Sequence, residues 1–381
     1  MEAPGPLPPP VVPRARVVPP PRPRSLRLGD GPAEAGEPAE TGEATGQPPS
    51  RPWTLAKIIL GAYVAAVLLR ACVFDAYRIP SASMEQTLQP GDFVFVSKLG
   101  YGARIPEARR IPFTRRVVQN PLFPGLRLPG LGGPQRGDVA VFHYPPEAGP
   151  ISERTPYVKR LIGLPGDTVE IEAKRTIVNG DTLAYPETGR QFWILLLGEG
   201  AFLPPDTLAT VGFSGRMDRI SETERLIEGT ADVAERFRGL AGVEAVVPLV
   251  RRPRDGSAGF PPALGYSLDD WGPMRVPFAG WTIPLDGETW PRYRETIYRH
   301  EPAEVVRVAG GFEVDGQPAE QYTFRQSYVF VLGDHRDDSA DSRSWGFVPE
   351  SHLIGRARLV YFSRDPVTGR LRWERIFHGV R

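Results

Sequence analysis

The sequence predicts a mainly β protein that a single N-terminal helix anchors to a membrane. Three observations support this class. Short strand-like runs between Gly, Pro or Asp dominate the chain beyond residue 76, Asn-Gly and Asp-Gly pairs mark hairpins, and one long apolar run precedes them all. With 381 residues the chain exceeds the size at which one hydrophobic core stops growing. We therefore expect more than one folded domain.

Charge and cysteine content exclude two classes of protein. The 46 basic and 45 acidic residues leave a formal net charge of +1, so the chain lacks the positive surface of a dedicated nucleic-acid-binding protein. Cys72 is the only cysteine, which excludes an intrachain disulfide and a cysteine-rich metal site.

The first 52 residues have the composition of a disordered tail. They contain 15 of the 43 prolines, mixed with Gly, Ala and Glu, and no aromatic residue occurs before Trp53. Such a segment cannot bury enough apolar surface to offset the entropy of ordering it. Five arginines between Arg14 and Arg27 are either solvated linker charges or contacts to anionic lipid.

Residues 53–76 are predicted to form a transmembrane anchor. The apolar run Leu55–Phe74 is 20 residues long, and at about 1.5 Å per residue a helix of this length matches the hydrocarbon core of a bilayer. Lys57 and Arg70 lie close enough to its ends to reach the headgroups. A buried helix of a soluble domain is the alternative interpretation.

Two kinds of processing are less consistent with the apolar run. A cleaved secretory signal begins close to the N-terminus, whereas some fifty residues precede this run. Leu69–Cys72 faintly resembles a lipoprotein cleavage site, but Arg70 lies inside the motif. An uncleaved anchor is therefore predicted.

The strands predicted beyond the anchor are short. Runs of strand composition between turn residues are Phe93–Lys98, Val139–Tyr144, Tyr157–Ile162, Val169–Glu172, Phe324–Leu332 and Leu359–Phe362. Hairpins are predicted at Asn179-Gly180 and at Asp315-Gly316, because these dipeptides adopt the positive φ angles of a two-residue turn.

Two helices are predicted in the middle of the chain. Ser221 and Glu224 form a candidate capping box, followed up to Leu240 by a stretch rich in Glu, Arg, Ala and Leu. A second helix is predicted from Asp286. The apolar residues on one face of that helix are Trp290, Tyr293 and Ile297.

These elements predict an interrupted domain. We expect a tail at 1–52, an anchor at 53–76, a β domain formed by 77–184 and 301–381, and a mixed α+β domain inserted at 185–300.

Two serines follow the anchor directly. Ser81 and Ser83 lie in the segment Arg78–Leu88, where Pro80 favours extended backbone before it. A serine pair in a turn is commonly structural, but this pair lies only a few residues from the predicted membrane exit.

Lys159 is the candidate base. It lies in the apolar, strand-like run Tyr157–Asp167, where alternation turns its side chain away from the face of Val158. Burial lowers the pKa of a lysine because the charged form loses solvation, and a lysine neutral near about pH 8 can act as a base. An exposed strand lysine is the alternative interpretation.

A third cluster, Gly333–Arg343, is dense in charges and hydroxyls. Its spacing does not fit the calcium loop of an EF-hand. The five histidines show no metal-ligand spacing, and no nucleophile-elbow motif supports a triad of Ser83, His335 and an aspartate.

Together these clusters resemble the conserved boxes of type I signal peptidases, the serine–lysine enzymes that cut signal sequences from exported preproteins. Ser-x-Ser-Met after an anchor resembles the first box and Arg136–Phe142 the second. Tyr157–Asp167, with Lys-Arg and Gly-Leu-Pro-Gly-Asp, resembles the third, and Gly333–Arg343 with its Trp-Gly-Phe-Val-Pro-Glu extension the fourth. The resemblance covers roughly 55–184 and 301–362.

The resemblance implies a β-barrel-like catalytic domain with a serine–lysine dyad. Ser83 is the implied nucleophile, Lys159 the implied general base, and Ser81 the implied hydroxyl of the oxyanion hole. The implied supporting residues are Ser339, which would orient the lysine, and the ion pair of Asp341 with Arg343. The residues implied to line small pockets for alanine-sized side chains are Ile79, Met84, Leu88, Tyr157 and Val158.

The resemblance also implies the partners and the location. The substrates are expected to be preproteins with a signal peptide, cut after small residues of the Ala-x-Ala type, at a lipid bilayer. No metal, cofactor or nucleic acid is expected. The implied location is the cell (inner) membrane, crossed once, with the N-terminus in the cytoplasm and the catalytic domain on the outer, periplasmic side. The charges that flank the anchor do not fix this orientation.

Three positions depart from the family pattern. His335 and Asp338 stand where asparagine is usual, and Gln86 where proline is common. A carboxylate near Lys159 would raise the pKa of the lysine, which opposes its role as a base. These departures affect the detail of the fourth box and not the reaction. The alternative function is a catalytically inactive, membrane-tethered binding or scaffold protein of the same fold, although the intact Ser83 and Lys159 weigh against it. A self-cleaving repressor shares the serine–lysine chemistry but should carry a DNA-binding head.

Overall fold

The computed structural model describes residues 51–104, 108–110, 117–119, 126–213, 215–252 and 259–381. Strands dominate these residues, which confirms the mainly β class. The predicted tail lies outside the described residues except for its last two positions, so its disorder stays a prediction.

Five helices lie in the described residues. They are α1 (Arg51–Cys72), α2 (Pro205–Thr210), α3 (Ala231–Arg238), α4 (Thr289–His300) and α5 (Ser342–Trp345). Among them, only α1 is long and apolar enough over Trp53–Cys72 to cross a membrane, and other described parts of the chain leave this stretch uncovered. A core helix of a soluble domain would be covered, so this exposure favours an anchor.

The strands up to the middle of the chain are β1 (Phe74–Arg78), β2 (Asp92–Ser97), β3 (Ala108–Arg110), β4 (Val117–Gln119), β5 (Val139–His143), β6 (Pro156–Gly163), β7 (Thr168–Glu172), β8 (Arg175–Val178), β9 (Asp181–Thr182), β10 (Gln191–Leu197), β11 (Met217–Arg219) and β12 (Glu224–Gly229). The later strands are β13 (Val243–Pro248), β14 (Trp271–Arg275), β15 (Thr282–Pro284), β16 (Val305–Val308), β17 (Gly311–Val314), β18 (Gln317–Pro318), β19 (Gln321–Thr323), β20 (Tyr328–Leu332), β21 (Val348–Pro349), β22 (Leu353–Ser363) and β23 (His378–Gly379).

Both predicted hairpins are confirmed. Asn179-Gly180 joins β8 to β9, and Asp315-Gly316 joins β17 to β18. All four turn residues have positive φ angles. Each predicted strand run overlaps an observed strand, although the run predicted from Phe324 becomes strand only at Tyr328.

The largest sheet has eight antiparallel strands. Its order is β1-β2-β22-β5-β6-β20-β21, and β23 pairs with β22. β1 forms one edge of the sheet. Among the described residues, β20 pairs with β6 only from Arg160 onward, so the run Tyr157–Lys159 has no strand partner there on the side away from β5.

A second sheet of four strands packs against helix α4. The sheet β14-β7-β8-β9 shares a core with α4 and with aromatic residues of β19 and β20. The predicted inner face of α4 is confirmed, because Trp290, Tyr293 and Ile297 are all buried there. Asp286 Oδ1 accepts hydrogen bonds from the backbone N–H groups that open this helix.

The sheet β11-β12-β10-β13 has a core of its own with α3. The helix predicted from Ser221 is wrong over Glu224–Gly229, which is strand β12. Pairing with β10 and β11 decides the structure there and overrides the helix-forming composition. The helix begins later, where Thr230 caps α3 by accepting from Val233 N at 3.4 Å.

The residues of the predicted insertion divide between two separate hydrophobic cores. The core of β10–β13 uses side chains between 193 and 246, whereas Trp271, Met274 and the inner face of α4 join the core of β7 and β20. The boundaries of the inserted domain at 185 and 300 stay a prediction.

Candidate active site

Ser83 lies in the segment that follows β1, and backbone hydrogen bonds hold that segment. Ile79 N donates to Asp92 O at 2.8 Å, which continues the pairing of β1 with β2. The Ser83 carbonyl accepts from His335 N at 3.1 Å. The Ser83 side chain is buried, with the residue 8% exposed. These bonds fix the backbone of the segment that carries Ser83.

Lys159 contacts Ser83 from strand β6. Pairing of β6 with β5 places Ala140 opposite Lys159, and the lysine is only 3% exposed. Nζ of Lys159 donates a hydrogen bond to Oγ of Ser83. The interpretation of Lys159 as an exposed strand residue is therefore wrong.

The surroundings of Lys159 favour its neutral form. Burial lowers the pKa of the Lys159 ammonium from 10.5 to about 8, because the charge loses its hydration. The Asp341 carboxylate opposes this shift, and the Arg343 guanidinium adds to it. A substantial fraction of Lys159 is therefore unprotonated in mildly alkaline solution, as a general base requires.

Asp338 affects the lysine less than the sequence suggests. Its side chain is exposed at the cleft, where water screens its charge. It raises the pKa of Lys159, as expected, but burial of the lysine outweighs it and the net shift is downward.

Asp341 and Arg343 form the expected ion pair. Arg343 Nε donates to Asp341 Oδ1 at 2.8 Å and Nη2 to Oδ2 at 2.9 Å, with both residues fully buried. Gly333 N donates to the same carboxylate at 3.0 Å. Burial would raise the pKa of Asp341, but Arg343 and these hydrogen bonds hold it below its usual value. The pair fixes the loop Gly333–Arg343, whose charges act on Lys159.

The other two serines differ in what they contact. Ser81 Oγ lies 3.4 Å from Ser83 Oγ and is exposed to the cleft. Ser339 Oγ is buried and has no hydrogen-bond partner among the described residues. Its predicted role in orienting Lys159 stays a prediction.

A second buried ion pair, for which the sequence indicated no role, joins Arg160 to Asp334. Arg160 Nε and Nη2 donate to Asp334 Oδ1 and Oδ2 at 2.7 and 2.6 Å. Thr87 Oγ1 donates to the same carboxylate at 2.6 Å. The sequence could have indicated this pair, because Arg160 follows Lys159 in the third box and Asp334 follows Gly333 in the fourth.

A cleft of about 400 Å³ opens in front of the two candidate catalytic groups. β1 and the first half of β6 flank it. Of the predicted substrate contacts, Ile79, Tyr157 and Val158 line the cleft. Met84 and Leu88 do not line it, because both are fully buried in the core beneath it. Their contact with substrate stays a prediction.

The imidazole of His335 does not complete a triad. Oγ of Ser83 contacts Ser81 and Lys159, and the His335 ring instead lies beside Glu228, with Nε2 3.1 Å from Oε1. These contacts agree with the sequence, in which no motif supports a triad.

Ligand atoms of Glu85, Glu228 and His335 lie within 4.8 Å of one another, a grouping that the histidine spacing did not reveal. The guanidinium of Arg190 already pairs with both carboxylates at 3.0 and 3.2 Å. Because this cation already pairs with both carboxylates and offsets one of their two charges, we assign no metal to the group.

The buried amine of Lys159 contacts the Ser83 hydroxyl beside a cleft in a mainly β protein. This arrangement is typical of a serine endopeptidase that uses a lysine as its base. The family model described as signal peptidase, peptidase S26, matches residues 53–191 and 281–362, which is more than half of the chain. The chain belongs to this family.

Curated relatives agree with the family. A signal peptidase I of Pseudomonas fluorescens is 37% identical over 308 residues, which are 78% of this chain and 68% of that protein. The signal peptidase I of Aquifex aeolicus is 26% identical over 302 residues, covering 79% and 80%. A crystal structure of a signal peptidase I from Enterococcus faecalis V583 is 17% identical, covers 60% of this chain and 98% of that one, and has a TM-score of 0.24.

Proposed function

We propose that this protein removes signal peptides from exported preproteins, with Ser83 as the nucleophile and Lys159 as the general base. The contact between Nζ of the buried Lys159 and Oγ of Ser83 carries the proposal. A lysine whose pKa is lowered to about 8 needs no histidine or carboxylate to accept the serine proton.

Acylation of the enzyme follows from this contact. Ser83 Oγ attacks the carbonyl carbon of the residue before the cut while neutral Nζ of Lys159 takes the hydroxyl proton. The Ser83 backbone N–H and the Ser81 hydroxyl stabilise the resulting oxyanion. The Lys159 ammonium then protonates the leaving amine. The peptide bond breaks, the mature protein departs, and the signal peptide remains as an ester on Ser83.

Deacylation uses the same groups. Neutral Lys159 takes a proton from a water molecule, which attacks the carbonyl carbon of the ester. The tetrahedral intermediate collapses, and Lys159 returns its proton to Ser83 Oγ. The signal peptide leaves with a new carboxylic acid, which loses its proton to solvent, and the enzyme regains its starting state.

The open strand edges beside the cleft suit an extended substrate. In the part of the chain that the structure describes, β1 has a strand partner on one side only, and Tyr157–Lys159 have none on the side away from β5. A substrate chain lying between them would gain backbone hydrogen bonds by strand addition, and its alternate side chains would face the cleft. Ile79 and Val158 line this cleft, and the family resemblance supports cutting after small residues of the Ala-x-Ala type.

The anchor places this chemistry close to the membrane. Ser83 follows the end of α1 by 11 residues, so a signal peptide that leaves the bilayer would meet the nucleophile directly. We further propose that α1 crosses the inner membrane once, with the N-terminus in the cytoplasm and the cleft on the periplasmic side. The family resemblance supports this orientation.

A cleavage assay tests the function. Purified full-length protein in detergent is mixed with a preprotein that carries an Ala-x-Ala signal, next to its Ser83→Ala variant. We expect cleavage at the signal junction by the wild type and none by the variant, whose fold is checked by circular dichroism. An inactive wild type would favour the scaffold alternative, and an active Ser83→Ala variant would remove Ser83 as nucleophile.

A further inference from the structure

Four side chains join the sheet β10–β13 to the segment that carries Ser83. Arg190 Nη1 lies 3.0 Å from Glu85 Oε2, and Arg190 Nη2 lies 3.2 Å from Glu228 Oε1. Nε2 of His335 lies 3.1 Å from the same oxygen of Glu228. We call Glu85, Arg190, Glu228 and His335 the bridge cluster.

The bridge cluster reaches the nucleophile from two directions. Glu85 is two residues after Ser83, and its backbone N–H donates to Ala82 O at 2.8 Å. His335 donates its backbone N–H to the Ser83 carbonyl at 3.1 Å. A shift of either residue would therefore move Ser83.

Arg190 is held firmly enough to transmit such a shift. Its backbone N–H donates to Asp334 O at 2.9 Å, and its carbonyl accepts from Arg336 N at 2.9 Å. Its side chain is 18% exposed, and that of Glu228 is 29% exposed. Partial burial reduces screening of the pair by water and salt.

Glu228 comes from a part of the chain that the family model does not match. The matched residues end at 191 and resume at 281, whereas Glu228 lies in β12. The strand pairing of β12 with β10 places Glu228 opposite Phe192, beside Arg190. The sheet outside the family match thus supplies one carboxylate to the surroundings of the nucleophile.

We propose that Glu228 is a positioning residue for the peptidase reaction, acting through Arg190 and Glu85 to hold Ser83 against Lys159. The inference rests on the proposed function. General-base catalysis needs Oγ of Ser83 within hydrogen-bond reach of Nζ, and a displacement of about 1 Å can cost about 100-fold in rate. The bridge cluster does not line the cleft, so substrate binding should be nearly independent of it.

The main experiment compares two glutamates of strand β12. Glu228→Gln keeps the shape of the side chain and removes its charge. Glu224→Gln is the matched control, because no ion pair of Glu224 lies within 4 Å in the described part of the chain. We expect Glu228→Gln to lower kcat about tenfold with KM within about twofold of wild type, and Glu224→Gln to match wild type. An unchanged kcat in Glu228→Gln, or a loss only in KM, overturns the proposal.

A second measurement separates positioning from general structural support. If Glu228 acts through Arg190, the variant that combines Glu228→Gln with Arg190→Gln should lose less kcat than the product of the two single losses. Arg190→Lys, which keeps the charge, should retain more kcat than Arg190→Gln. Losses that multiply independently overturn the proposal, as does an Arg190→Lys variant no better than Arg190→Gln.

Folding and the parent function are controlled separately. Thermal unfolding of each variant is followed by circular dichroism, and if Glu228→Gln does not fold, the two Arg190 variants decide the outcome. Wild-type cleavage that Ser83→Ala abolishes upholds the proposed function whatever the Glu228 result. An inactive wild type instead removes the proposed function and this inference together.

Discussion

Gly333 packs so closely against Ser83 that a Cβ on residue 333 would lie 2.8 Å from the Ser83 carbonyl oxygen. The same atom would lie 2.1 Å from Ser339 Oγ. Only a residue without a side chain allows this approach. It brings the loop of Asp341 and Arg343 next to the nucleophile, where Gly333 N also donates to Asp341.

Gly333→Ala should therefore impair both folding and catalysis. We expect the free energy of unfolding to fall by about 1–3 kcal/mol because the packed backbone must move apart. We expect kcat to fall about 100-fold because that movement displaces Ser83 from Lys159. Urea unfolding and the cleavage assay measure the two effects. Gly132→Ala is the control, since its added Cβ would meet nothing within 4 Å. Wild-type behaviour of Gly333→Ala would contradict the close approach.

Lys159→Arg should abolish cleavage although it keeps the positive charge. A guanidinium stays protonated throughout the working pH range, so it cannot take the proton of Ser83. Loss of general-base catalysis costs about 100- to 10,000-fold in kcat. The variant is assayed at about pH 9, where wild-type Lys159 is mostly neutral. Activity within tenfold of wild type would show that the charge, rather than the free amine, is what matters.

The sequence was most informative where local pattern decides structure. The strand of Lys159, the two hairpins and the inner face of α4 all follow from spacing within a few residues. The Ser-x-Ser and Lys-Arg motifs pointed to both candidate catalytic groups. Such motifs and their order along the chain can be recognised without a structure.

Long-range pairing was the part that the sequence could not supply. Glu224–Gly229 reads as helix alone and becomes strand because β10 and β11 flank it. Met84 and Leu88 follow the first serine box closely, yet their side chains turn into the core. The contact of Arg190 with Glu228 depends on the register of β10 and β12, which local composition does not encode.

The rate of cleavage should rise with pH through the pKa of Lys159. Burial lowers that pKa to about 8. Only the neutral amine, which prevails above this pKa, can accept the proton of Ser83. We expect kcat/KM to increase about tenfold per pH unit below about pH 7 and to level off above about pH 9. Measurements from about pH 6 to 10 check this profile. A flat profile would contradict the lysine as base.

Asp338→Asn refines the same prediction. The exposed Asp338 carboxylate raises the pKa of Lys159, so its removal should move the rising limb of the profile to lower pH. Because Asp338 is exposed, thermal stability should stay close to that of wild type. A shift of the limb to higher pH would contradict the assigned electrostatic effect.

Asp341→Asn should destabilise the fold strongly. The substitution leaves the Arg343 guanidinium, 1% exposed, buried beside a neutral amide. Removing one partner of a buried ion pair costs about 3–5 kcal/mol of unfolding free energy. Asp232→Asn is the control, since its pair with Arg236 is exposed and its loss should cost about 0.5 kcal/mol or less. Equal effects of the two variants in urea unfolding would contradict the structural role of the buried pair.

Ser81→Ala should lower kcat while leaving folding and substrate binding nearly intact. Ser81 is exposed to the cleft and its Oγ lies 3.4 Å from Oγ of Ser83, close to where the oxyanion would form. A donor that bonds only the oxyanion stabilises the transition state and not the bound substrate, so kcat should fall about 100- to 1,000-fold with little change in KM. Ser81→Thr keeps the hydroxyl and should retain most of the lost rate. Steady-state cleavage of the same preprotein by both variants decides the matter. An unchanged kcat in Ser81→Ala would mean that the hydroxyl does not stabilise the oxyanion.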